Sequence, residues 1–99
     1  MSPLPLAAAP EAETASLTVL TCYSLLARAE PGVLPRVLEL FAKRGLVPHQ
    51  WHSAVAGPAL TIDVQMPDLD RDAADYIGRC MRQIVGVETV LTSEASVRT

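Results

Sequence analysis

Three groups of residues in this chain have types and spacings that could do chemistry. The first is Glu30-Pro31-Gly32-Val33-Leu34, which runs into an apolar repeat at helical spacing. Pro35 has no N–H and belongs among the first positions of a helix, where donors lack intrahelical partners anyway. A helix opening at Gly32 leaves the N–H groups of Gly32, Val33 and Leu34 free at the positive end of its dipole, a natural place for a carboxylate. Gly32 has no side chain to keep a ligand away. An ordinary tight strand-to-helix turn fits the same spacing. The second group is His49 and His52, which on a strand point to opposite faces and make poor joint zinc ligands. The third is Asp68, Asp70 and Asp72, a carboxylate cluster that reads as a helix cap and first-turn acids. No serine or cysteine has a histidine partner at a recognisable spacing. Cys22 and Cys80 stand apart without a CxxC and read as two buried free thiols. The expectation is a chain without catalytic residues, metal site or cofactor.

The elements that must position these residues follow from periodicity. Residues 16–27 read as a long strand, with Leu17, Val19, Thr21, Tyr23 and Leu25 on one face and apolar residues also on the other. Val33, Leu34, Val37, Leu38 and Phe41 form the apolar face of a helix over 33–44, ended by Lys43-Arg44 and then Gly45 as a left-handed cap. Residues 46–56 read as a second strand. Pro48 cannot donate to a ladder, so that strand belongs at a sheet edge. Gly57-Pro58 is a turn, and Leu60, Ile62, Val64 and Met66 alternate with Thr61, Asp63 and Gln65, so strands two and three form an antiparallel hairpin. A second helix spans 70–85, with Gly78 in its middle, and residues 87–92 make the last strand.

Strand, helix, strand, strand, helix, strand is the α+β, ferredoxin-like βαββαβ order: a four-stranded antiparallel sheet with two helices on one face. Right-handed crossovers put strands one and three in the centre. The folded domain covers 16–94, between an N-terminal tail over 1–15 and a C-terminal tail over 95–99, and residues 93–99 are expected to fray.

Composition narrows the partners. Ninety-nine residues, 49% of them hydrophobic, make one compact domain with little room for a deep enclosed active site. Eleven acidic against eight basic residues, a net charge of −3, are no nucleic-acid footprint, and Tyr23 is the only aromatic candidate on the central strands. The Pro- and Ala-rich start has no positive charge before its apolar run. That run is too short to span a membrane, so a cytoplasmic location is expected. An edge strand carrying His49, Trp51 and apolar residues would expose an unpaired ladder and a large ring. A homodimer or higher homo-oligomer, built by joining sheets or packing first helices, is the expected remedy.

On these residues the chain resembles an ACT domain. The likeness covers residues 17–94 and is strongest from Pro31 through Gly45. Within the family it is most similar to the small regulatory subunit of acetohydroxyacid synthase (acetolactate synthase), through Phe41-Ala42-Lys43-Arg44-Gly45 and the step Val85-Gly86-Val87. The resemblance implies a non-catalytic module of branched-chain amino acid biosynthesis, regulated by a small amino acid and partnered by a large catalytic synthase subunit. It implies that the effector is held by Glu30, Pro31, Gly32, Val33, Leu34 and Val47, between one chain and its neighbour. Ala29 and Val47 stand where valine-sensitive relatives carry polar residues, typically asparagine. The alternative is a ligand-free homo-oligomeric scaffold.

Overall fold

The computed structural model describes residues 17–98; the tail expected over 1–15 lies outside them. The elements run β1 (Leu17–Arg28), α1 (Val33–Ala42), β2 (Gln50–Ala56), β3 (Ala59–Pro67), α2 (Arg71–Arg82) and β4 (Val87–Arg98). They form one four-stranded sheet of order β2-β3-β1-β4, every neighbouring pair antiparallel. This is the expected ferredoxin-like fold, with β1 and β3 central.

The period-two pattern of β3 sets the sidedness. Leu60, Ile62, Val64 and Met66 are at most 2% exposed, and register brings them opposite Ala27, Leu25, Tyr23 and Thr21 of β1. Onto that face α1 lays Val33, Val37 and Phe41, and α2 lays Ala74, Ile77, Gly78 and Met81. Tyr23 and Phe41 meet at 6.3 Å between ring centroids with planes tilted by 58°. Such a tilted aromatic pair adds about 0.5–1.5 kcal/mol beyond the area it buries. The opposite sheet face is open, with Leu26 and Leu91 exposed.

Both helix ends have chemical causes. Asp70 caps α2, its Oδ1 accepting the Ala73 N–H at 2.7 Å. This satisfies one of the unpaired donors of the first turn. Gly45 ends α1 with φ of 70°; its N–H reaches the Ala42 carbonyl and the Leu46 N–H the Phe41 carbonyl, the Schellman pairing. Leu46, the residue after that glycine, packs on the core.

The structure departs from the sequence reading in several places. β2 begins at Gln50, so Pro48 precedes the strand; β2 is an edge strand all the same. The Schellman exit uses the residues just after Gly45, which delays pairing until the His49 N–H meets the Gln65 carbonyl at 2.8 Å. The helices end at Ala42 and Arg82, short of 44 and 85. Leu38, expected on the buried face of α1, is 47% exposed. Cys22 and Cys80 are free thiols but half-buried. The largest difference is β4, which does not fray after residue 92. It runs to Arg98, paired along β1 as far as Leu17↔Arg98. Ser93-Glu94-Ala95-Ser96 has little strand propensity of its own, and the β-branched and apolar start of β1 supplies the template.

Candidate functional site

The first loop and the β2–β3 hairpin enclose a cleft of about 310 Å³ lined by Ala29, Glu30, Pro31, Leu34, Val55 and Leu60. The loop is held from both sides. The Arg28 N–H donates to the Gly86 carbonyl at 2.8 Å, and the Ala29 N–H to the Pro58 carbonyl at 2.9 Å. The turn after β2 and the end of α2 therefore fix where α1 starts. The walls are apolar apart from Glu30, whose carboxylate pairs with the Arg28 guanidinium at 3.1 Å, both side chains about half exposed. An ion pair in that much water contributes less than about 1 kcal/mol.

The start of α1 matches the expectation in part. Gly32 is the N-cap with φ of −79°, an ordinary helical value, and no side-chain cap. The Val33 N–H is taken by the Glu30 carbonyl at 3.2 Å, so the expected trio of free donors loses its middle member. Among the described residues the N–H groups of Gly32 and Leu34 have no partner. Arg36 is a further residue at this site, one that motif spacing does not single out. It lies one turn along α1 and folds back over Gly32, its Cζ 3.6 Å from where a glycine Cβ would stand. The guanidinium adds full positive charge to the positive end of the dipole, a setting that favours an anion. The i, i+4 spacing of Gly32 and Arg36 was the available signal.

The other expected site residues lie elsewhere. Val47 is 81% exposed, beyond the far end of α1. Ten helical residues at about 1.5 Å rise put it roughly 15 Å or more from Gly32 within one chain. Glu30, Pro31, Gly32, Val33 and Leu34 are thus brought together, and Val47 is not. Trp51 is half-buried, opposite Val64 in the ladder and packed on the core, while His49 is exposed just before β2. Among the described residues no group of three His, Cys, Asp or Glu is placed to hold a metal ion. No helix among them is long and apolar enough to cross a membrane.

Solved structures of other proteins share this architecture. The crystal structure of the ACT domain from GTP pyrophosphokinase of Chlorobium tepidum superposes with a TM-score of 0.68 at 13% identity, covering 77% of this chain and 99% of that one. The solution structure of the C-terminal domain of the MgtC protein from Mycobacterium tuberculosis gives 0.65 at 11% identity, covering 79% and 88%. The uncharacterized protein TM1266 from Thermotoga maritima gives 0.59 at 12% identity, covering 80% and 96%. At such identities the likeness is one of fold. No curated protein matches the chain. The family model described as an ACT-like domain matches residues 13–98. With nearly the whole chain matched and the βαββαβ sheet in place, this protein belongs to the ACT-like domain family.

Proposed function

We propose that this chain is a non-catalytic regulatory module that senses a small amino acid, in the manner of the acetohydroxyacid synthase small subunit. The observation that carries the reading is the first-loop cleft: walls apolar apart from Glu30, beside a helix start where the Gly32 and Leu34 N–H groups have no partner among the described residues and Arg36 lies over Gly32. A branched aliphatic side chain suits Pro31, Leu34, Val55 and Leu60. The effector carboxylate lies against the Gly32 and Leu34 N–H groups and the Arg36 guanidinium. Val47 joins such a site only from a second copy, which makes a homodimer part of the proposal, with His49 and Trp51 near the joint. The downstream partner is a large catalytic synthase subunit in the cytoplasm, and the regulation is allosteric control of branched-chain amino acid biosynthesis.

Calorimetric titration with valine, leucine and isoleucine tests this. Wild type binds at least one of them with a Kd of roughly 0.1–1 mM, about 4–5.5 kcal/mol. Gly32→Asp sets a carboxylate where the ligand's belongs and abolishes the heat. The fold survives it, because φ of −79° suits any residue and the space beside Gly32 is open to ordinary contact. No heat from any amino acid at millimolar concentration refutes the reading. It would favour a ligand-free homo-oligomeric scaffold, a role supported by the exposed Leu26 and Leu91 on the open sheet face.

A further inference from the structure

The sheet has two edges, β2 on one side and β4 on the other. β4 runs twelve residues, Val87–Arg98, and its ladder partner β1 lies on one side only. Its first part is blunted. The register slips between Leu26 and Ala27 of β1, opposite Thr89 and Val87, and the Arg82 guanidinium donates to the Val90 carbonyl at 3.0 Å. A slip in the ladder and a covering cation are devices that keep an edge from pairing. From Leu91 to Arg98 there is neither: the register with β1 is unbroken, no proline or lysine intervenes, and every residue is exposed. Among the described residues the backbone of this stretch bonds to nothing but β1. A long, regular, exposed edge of this kind is a template for another strand.

The charges on the stretch say which strand fits. Glu94 and Arg98 are its two charged residues, and neither forms an ion pair among the described residues. They stand on the same face, with Ser96 midway between them. Two antiparallel copies of β4 related by a two-fold axis at Ser96 set Glu94 of each opposite Arg98 of the other. Ala95 then faces Val97, and Ser96 faces its own copy. Unlike charges directly opposed stabilise a strand pair, and like charges destabilise it. An axis at Glu94 or at Arg98 would oppose like charges. An axis at Ser93 would oppose Glu88 to Arg98, but it draws in Val90, whose carbonyl Arg82 already holds. Ser96 is the axis that pairs both charges and leaves the blunted part of the edge alone.

We infer that residues 94–98 of β4 are an interface with a second copy of this chain, paired antiparallel about Ser96 so that two four-stranded sheets continue into one another. The patch is its own complement, so the joint closes on itself as a two-fold contact. It lies on the edge opposite β2. It is therefore independent of the amino-acid reading and of any contact through Val47, His49 and Trp51. An unrelated extended peptide would satisfy the same backbone groups, but the placing of Glu94 and Arg98 about Ser96 is matched by a copy of this strand.

Sedimentation velocity of the full chain at micromolar concentrations is the experiment, with wild type expected to self-associate. Glu94→Arg and Arg98→Glu each change an exposed side chain, so the fold holds, as circular dichroism checks. Each turns both attractive contacts of the joint into repulsive ones and weakens association by about tenfold or more. Mixing the two variants sets an edge bearing only cations against an edge bearing only carboxylates, and association returns to the wild-type level. A residue that served the fold alone would show no such rescue. Ser96→Cys, in a chain whose Cys22 and Cys80 are replaced by serine, forms a disulfide-linked dimer on oxidation and Ala95→Cys does not. The reason is that directly opposed residues come within about 4.5–5.5 Å between Cα atoms, inside disulfide reach. The inference is overturned if wild type is monomeric, if both charge reversals associate like wild type, or if the mixture associates no better than its components. A dimer lost on Val47→Asp and untouched by both reversals also overturns it, in favour of a joint at β2. A monomer whose β4 edge takes up an extended peptide overturns it in favour of that occupant.

Discussion

Two glycines make opposite predictions for the same substitution. Gly86 has φ of 101°, and a Cβ there would stand 3.0 Å from Val33 Cγ2 and 3.2 Å from Glu30 Oε1. Its carbonyl also accepts the Arg28 N–H. Gly86→Ala therefore strains the backbone by about 1–2 kcal/mol. It also crowds the first buried residue of α1, and such overpacking adds roughly 1–2 kcal/mol. The sum, about 2–4 kcal/mol, is a large part of the 5–15 kcal/mol by which domains of this size are stable. At about 4–8 °C per kcal/mol the Tm falls by roughly 10–30 °C. Gly78, in the middle of α2, has helical angles, and its added Cβ meets Thr92 Oγ1 at 3.5 Å and Tyr23 at 3.6 Å, ordinary contact distances. Close packing does not require glycine there. Gly78→Ala then recovers about 0.5–1 kcal/mol of helix propensity. The Tm rises by roughly 2–8 °C. Urea and thermal unfolding followed by far-UV circular dichroism measure both. A Gly86→Ala variant within about 0.5 kcal/mol of wild type, or a Gly78→Ala variant less stable than wild type by more than about 1 kcal/mol, refutes this reasoning.

Other perturbations test the packing. Phe41→Ala empties the centre of the core and costs about 3–5 kcal/mol, read as a lowered urea midpoint with unchanged slope. Burial, with Asp75 adding to it, pushes the Tyr23 hydroxyl up from 10.0 to about 12. The folded state then holds this proton where the unfolded chain has lost it: the stability is whole below pH 10 and is lost as pH rises toward 12. The loss is of the order of 2–3 kcal/mol. Urea melts between pH 9 and 12 show it, and Tyr23→Phe, which has no such proton, flattens that limb. Trp51→Lys strips a half-buried ring from the core's edge and lowers stability by about 1–3 kcal/mol in the same urea melts.

Local chemistry alone determined much of this protein. Alternation in β3, the helical stripe Val33, Val37, Phe41, the Asp70 cap and the Gly45 exit are short-range signals, and each stands where it was expected. The first-loop residues were legible for the same reason: Pro35 limits where α1 can begin. What only the tertiary structure decided depends on neighbours distant in sequence. Ser93-Glu94-Ala95-Ser96 is strand because β1 lies beside it, and that pairing puts Glu94 opposite Thr21. The room beside Gly78, in the middle of α2, is likewise set by distant neighbours, Thr92 of β4 and Tyr23 of β1. Whether Trp51 faces core or solvent turned on its register against Val64. Val47 and Gly32 fall at opposite ends of α1, a separation that spacing along a chain does not reveal until the helix between them is placed.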